Sequence, residues 1–180
     1  QSTQSPCTVG TFQTDTGQSS CDDADAGYYV EQTGQSTQIP CTVGTFQVDI
    51  GQTSCDDADA GYFVNQTSQS SQIPCALGTF QVDTGQTSCD DADAGYFVDQ
   101  TSQSVQIPCT LGTYHSVTGQ TSCDDADAGY YVEETCKSPQ LPSTLETFQS
   151  DTGQSSSAHA DAGYIVNQTY QYTQIPCPLT

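Results

Sequence analysis

Carboxylates and cysteines are the side chains in this sequence whose spacing could do chemistry, and both return at fixed intervals. The acidic run Asp22-Asp23-Ala24-Asp25 recurs as Asp56-Asp57-Ala58-Asp59, Asp90-Asp91-Ala92-Asp93 and Asp124-Asp125-Ala126-Asp127. Each run leads into a glycine two residues on, Gly27 in the first copy. Several hard oxygen ligands around a tight turn suit calcium. Yet the twelve-residue helix–loop–helix pattern with its closing Glu is absent. A solvated acidic turn, copied along with the repeat, accounts for the same residues. Both expectations stand at this point. In a fifth copy Ala158 and His159 replace the first two aspartates, so a calcium site is expected to be missing there.

The cysteines point to cross-linking. Cys7 and Cys21 bracket the loop CTVGTFQTDTGQSSC, which returns with the same length as Cys41 to Cys55, Cys75 to Cys89 and Cys109 to Cys123. A fifth loop keeps the frame but has Ser143 and Ser157 at both cysteine positions. Joint loss of both partners favours closure of each loop upon itself. The alternative, Cys21 bridged forward to Cys41, would leave Cys123 with no partner at position 143. Cys136 and Cys177 stand outside the four loops. Either they pair with each other across the unbridged repeat, or they link chains, or Cys136 is a neutral substitution. With Cys-x-x-Cys pairs absent, zinc is not expected.

Two further sites are of the modification type. Asn65-Gln66-Thr67 and Asn167-Gln168-Thr169 are N-glycosylation sequons, and they share one repeat position. Ser/Thr-rich stretches such as Thr101-Ser102-Gln103-Ser104 are candidates for O-linked sugar, or merely polar turns. An enzyme is not expected. His115 and His159 lie in different repeats with no serine or cysteine motif beside them, and read as tolerated surface substitutions. Paired aspartates can do acid–base work, but four identical copies fit a repeated surface better than one active site.

What must position these residues is a tandem repeat of 34 residues. The units are 1–34, 35–68, 69–102, 103–136 and 137–170, the last without a disulfide, and a truncated sixth begins at 171–180. Inside each unit a second period of 17 sets Cys7-Thr-Val-Gly10-Thr-Phe12 over Ala24-Asp-Ala-Gly27-Tyr-Tyr29. Cys7 then falls on Ala24, and Cys21 on Gln38. Half-modules with and without a bridge therefore alternate. Pro, Gly, Ser, Thr and Asp in every unit favour turns over helix interiors. Runs such as Gly10-Thr11-Phe12-Gln13 and Gly27-Tyr28-Tyr29-Val30 read as brief strands. Gly17, Gly51, Gly85, Gly119 and Gly153 are expected to supply a positive φ. Phe12, Phe46, Phe80, Tyr114 and Phe148, with Tyr28, Tyr62, Tyr96, Tyr130 and Tyr164, are expected to form miniature cores.

Composition explains why staples are needed. Val, Ile, Leu and Phe make only 28 of 180 residues, and the formal charge is −21. Without cross-links such a chain would be disordered. Ten cysteines change that reading, because closing a loop of about 15 residues contributes on the order of 3 kcal/mol in the chain-entropy model. Structural disulfides persist outside the cytosol, so an extracellular or cell-surface setting is expected. No stretch reaches the ~20 apolar residues of a transmembrane helix. Lys137 is the sole Lys or Arg, and so acidic a surface repels nucleic acid. The chain opens in mid-pattern at Gln1 and reads as part of something longer.

The pattern Cys-x-x-Gly-Thr-aromatic followed by Gly-Gln-x-Ser-Cys, carried by Cys7, Gly10, Thr11, Phe12, Gly17, Ser20, Cys21 and their copies, resembles the ephrin-receptor-like repeats. Those are related to the tumour-necrosis-factor-receptor cysteine-rich modules, and tandem copies of this kind look like those of large surface proteins of aquatic microbes. The resemblance covers essentially the whole chain. It implies an elongated extracellular array with little regular secondary structure. No ligand contacts carry over, and alternate halves depart from the family pattern by having Ala24 and Gln38. The resulting expectation is an all-β, small disulfide-rich fold drawn out as a rod. Such a protein would serve as a stalk or surface filament, joined head to tail or continued by further chain. The rival is an adhesion module that recognises protein or glycan, with calcium as its one candidate cofactor.

Overall fold

A computed structural model describes residues 4–177. Among them every regular element is a two-residue strand, and there is no helix. Hence none is long and apolar enough to cross a membrane. β1 (Thr11–Phe12) pairs antiparallel with β2 (Asp22–Asp23), Thr11 opposite Asp23 and Phe12 opposite Asp22. Then β3 (Tyr28–Tyr29) pairs with β4 (Ile39–Pro40) in the same register, Tyr28 opposite Pro40. This hairpin recurs every 17 residues as far as Ile175–Pro176, giving ten two-stranded sheets. The bridged and unbridged halves thus share one backbone. The all-β, disulfide-rich tandem repeat is the fold.

The local cause of each hairpin is a turn before its first strand. The Thr11 amide donates to the Thr8 carbonyl (3.1 Å) and Tyr28 to Asp25 (2.9 Å). The third residue of each turn is Gly10 (φ 80°) or Gly27 (φ 84°). A type II turn demands a positive φ there, which glycine adopts without penalty.

Contacts divide the chain into two units: Gln1–Ala76 with Phe80–Asp90 and Thr101–Val105, and Leu77–Thr79 with Asp91–Gln100 and Gln106–Thr180. In the first unit, successive half-modules are tied by backbone hydrogen bonds of a fixed pattern. Gly10 N–H donates to Val30 O (2.8 Å), Gln13 N–H to Gln35 O (3.2 Å), and Gly34 N–H back to Cys7 O (2.8 Å). One half-module further on, Gly27 donates to Gln47, Val30 to Gln52 and Gly51 to Ala24. The second unit repeats the scheme: Gly129 to Gln149 (2.8 Å), Val132 to Gln154 (2.9 Å) and Gly153 to Ala126 (2.8 Å). These bonds satisfy backbone groups that so sparse a β ladder would leave open.

The core differs from the expected one. The fully buried side chains are the opening residue of the inner half-modules and, in the even ones, the valine after the aromatic pair. In the first unit these are Ala24, Cys41, Ala58 and Cys75 with Val30 and Val64. In the second they are Ala92, Cys109, Ala126 and Ser143 with Val98 and Val132. The aromatics Phe12, Phe46, Phe80, Tyr28, Tyr62 and Tyr96 are only half-buried, and Tyr164 is exposed. Backbones of neighbouring modules approach so closely that small residues fill the middle and rings cover the outside.

Candidate functional site

The loop that opens with cysteine has a polar interior. The four bridges join Cys7 to Cys21, Cys41 to Cys55, Cys75 to Cys89 and Cys109 to Cys123, with Cα separations of 5.7 to 5.8 Å. Within the second bridged loop lies Gln47, only 5% exposed. Its Nε2 donates to Ser54 O (3.0 Å) and Asp56 Oδ2 (3.3 Å), and its Oε1 accepts from the Asp49 amide (3.0 Å). Gln13, Gln81 and Gln149 reach the matching Ser20, Ser88 and Ser156 carbonyls. A buried amide with both ends engaged holds a loop that has no strand content of its own.

His115 occupies this glutamine position in the fourth loop. Its Nδ1 accepts from the Val117 amide (3.4 Å), and its Nε2 lies 3.7 Å from Asp124 Oδ2. The imidazole imitates the glutamine amide, and its side chain is 12% exposed. The expectation of a free surface histidine is corrected accordingly. Alignment of His115 with Gln47 and Gln81 is the signal that sequence reading passed over. His159, by contrast, is exposed and sits opposite Thr147 in its hairpin.

The even half-modules, which open with alanine, are stapled too. Gln38 stands where the closing cysteine would be. Its Oε1 accepts from the Asp25 amide and its Nε2 donates to Asp25 Oδ2, both at 2.6 Å. The same two bonds join Asp59 to Gln72, Asp93 to Gln106, Asp127 to Gln140 and Asp161 to Gln174, at 2.5 to 2.7 Å. A charge-assisted pair thus spans the chain segment that the disulfide spans in the other half. Its partners lie thirteen residues apart, a spacing legible in the sequence once the half-modules are aligned.

This staple disperses the acidic clusters. Asp22 accepts from Gln13 Nε2 (3.1 Å), Asp23 leans over Gly51, and Asp25 faces Gln38. Asp57, Asp91 and Asp125 likewise lean over Gly85, Gly119 and Gly153. In the first two runs the three carboxylates meet three different neighbours. Among the described residues no group of three or more His, Cys, Asp or Glu side chains comes together to hold a metal. Asn65 and Asn167 are both exposed.

Cys136 and Cys177 carry no bridge. Cys136 adopts φ 62°, as Ser68 (60°), Ser102 (62°) and Tyr170 (64°) do at the equivalent position, where Gly17, Gly51, Gly85, Gly119 and Gly153 also have positive φ. Hydrogen bonding to Cys136 raises the Tyr96 hydroxyl above its ordinary pKa. Burial, chiefly, raises Tyr114. The exposed Lys137–Glu134 pair (2.7 Å) raises the lysine and lowers the glutamate.

The unbridged fifth loop leaves a defect. Ser143 is fully buried and its hydroxyl has no hydrogen-bond partner, a loss of about 1–3 kcal/mol. Restoring cysteine at both positions (Ser143→Cys with Ser157→Cys) should form a fifth bridge and raise stability by about 3 kcal/mol. Ser143→Ala, which copies Ala126, should recover about 1 kcal/mol by removing the orphan hydroxyl. Thermal melts with thiol counting check both. A double variant that keeps two extra free thiols would show that the fifth loop does not share the others' geometry.

Four disulfides place the folded chain in an oxidising setting. No protein-family model matches the chain, and neither does any curated protein.

Proposed function

We propose that this protein is an extracellular structural repeat, a rod or stalk that separates whatever lies at its two ends. The observation that carries the reading is the recurrence of one set of inter-module hydrogen bonds from half-module to half-module within each unit. Where each module is held mainly by its neighbours, length can change without redesign. Side chains with chemical potential are absorbed in that scaffold. The cysteines bridge, the third aspartate of each run closes an unbridged half-module, and His115 fills a glutamine's place. We read the remaining carboxylates as a solvated acidic face, supported by their exposure.

Small-angle scattering on the intact chain tests the proposal. The expected result is an elongated particle that shortens by one fixed increment when residues 35–68 are deleted. A compact particle of unchanged cross-section would refute it. A second reading, adhesion to protein or glycan, is favoured by one feature. Val9, Val43, Leu77, Leu111 and Leu145 occupy the same position of every odd half-module and are 48% to 59% exposed.

A further inference from the structure

Asparagine occurs twice in the 180 residues, as Asn65 and Asn167, and each time threonine stands two places on. Both follow the buried valine of an even half-module, Val64 in the first unit and Val166 in the second. Other repeats have Glu31, Asp99 and Glu133 there, each again with threonine two places on. Threonine thus belongs to the repeat, and asparagine is what varies.

Asparagine has two ordinary structural uses, and the fold makes neither of them here. It tolerates a left-handed backbone, but the residues of these loops with positive φ are Ser68 and Tyr170, three places further on. It also ties turns through its side-chain amide. Among the described residues neither amide has a hydrogen-bond partner. The chain gives such work to glutamine: Gln47 is engaged at both ends of its amide, and Gln38 clasps Asp25. Glu31, Asp99 and Glu133 fill the same place, so the backbone asks for no amide there. Nor does asparagine interchange with acid elsewhere, since the other acidic positions of the repeat never hold it in any copy.

What the position offers is access. Asn65, Gln66 and Thr67 are all exposed, between the strands Tyr62–Phe63 and Ile73–Pro74. Asn167, Gln168 and Thr169 are exposed in the same way between Tyr164–Ile165 and Ile175–Pro176. A group joined to Nδ2 at either site displaces no side-chain hydrogen bond.

We propose that Asn65 and Asn167 carry N-linked oligosaccharide, transferred from a polyisoprenoid pyrophosphate donor along the secretory route. In that transfer Nδ2 attacks the anomeric carbon of the donor sugar. A C–N bond forms, and the C–O bond to pyrophosphate breaks, its electron pair going to the departing lipid pyrophosphate. One amide proton passes to base. The proposal rests on the extracellular reading, because bridge formation and sugar transfer share that route.

Secretion of the full chain from a eukaryotic cell line tests it. Thiol counting establishes whether the four bridges have formed. Enzymatic removal of N-linked sugar in heavy-oxygen water then turns each occupied asparagine into a labelled aspartate, read by peptide mass. Label is expected at both Asn65 and Asn167. One glycan should be lost in Asn65→Gln, and one gained in Asp99→Asn, which completes a sequon with Gln100 and Thr101. A secreted, bridged chain bare at both asparagines overturns the proposal and leaves the extracellular reading standing. A retained chain with reduced cysteines overturns both. Made without sugar, Asn65→Gln and the parent should melt together. A lower melt for the variant would give Asn65 a structural role instead, and the proposal falls.

Discussion

Reduction of the four bridges is expected to unfold the chain completely. Each closes a loop with a sequence separation of 14, which contributes about 3 kcal/mol in the chain-entropy model. Together they are comparable to the whole stability of an ordinary domain, about 5–15 kcal/mol. Little else can compensate. The buried apolar set is Ala, Cys and Val with no ring among it, and a formal charge of −21 works against compaction. In mild reductant at 25 °C the cooperative melt should vanish and scattering should report an expanded coil. Replacing one pair, Cys41→Ser with Cys55→Ser, should cost about 3 kcal/mol and leave a cooperative melt at lower temperature. Persistence of the full melt in reductant would mean that the Asp–Gln pairs and inter-module hydrogen bonds suffice alone.

The repeat, the half-module and the pairing of the cysteines were legible because they are written as spacing. The period of 17 aligned Gly10 with Gly27 and Phe12 with Tyr29, and the hairpins obey that period. Ser143 and Ser157 indicated closure of each loop upon itself, as the structure has it. What stayed hidden is which spacing carries energy. In sequence Asp25 groups with its neighbours Asp22 and Asp23, whereas its partner is Gln38. Adjacent residues on a strand point to opposite faces, so a cluster in sequence need not be one in space. By size the aromatics belong in a core. Yet the close approach of backbones between modules admits only Ala, Cys, Ser and Val at the centre. No composition count reveals that distance. It is visible only through Gly10, Gly44 and Gly78, whose absent Cβ makes room for a carbonyl oxygen.

Of all single substitutions, Gly61→Ala should be among the most damaging, with a loss of about 3 kcal/mol or more. Two costs add. At φ 86° an L side chain pays about 1–2 kcal/mol. The new Cβ would also fall within 3.0 Å of Ser102 O, and overpacking of that kind costs about 1–3 kcal/mol. Gly17→Ala separates the two costs. Gly17 has φ 79° but nothing within 4 Å of its missing Cβ, so only the first cost applies, about 1 kcal/mol. The chain itself argues the same way. The position of Gly17 accepts Ser68, Ser102, Cys136 and Tyr170, all at positive φ, while among the described residues the position of Gly61 accepts a side chain only at Glu146. Urea unfolding of the two variants beside the parent checks the difference. Equal losses for Gly61→Ala and Gly17→Ala would show that dihedral strain, and not contact between modules two apart, keeps glycine as the third residue of the turn.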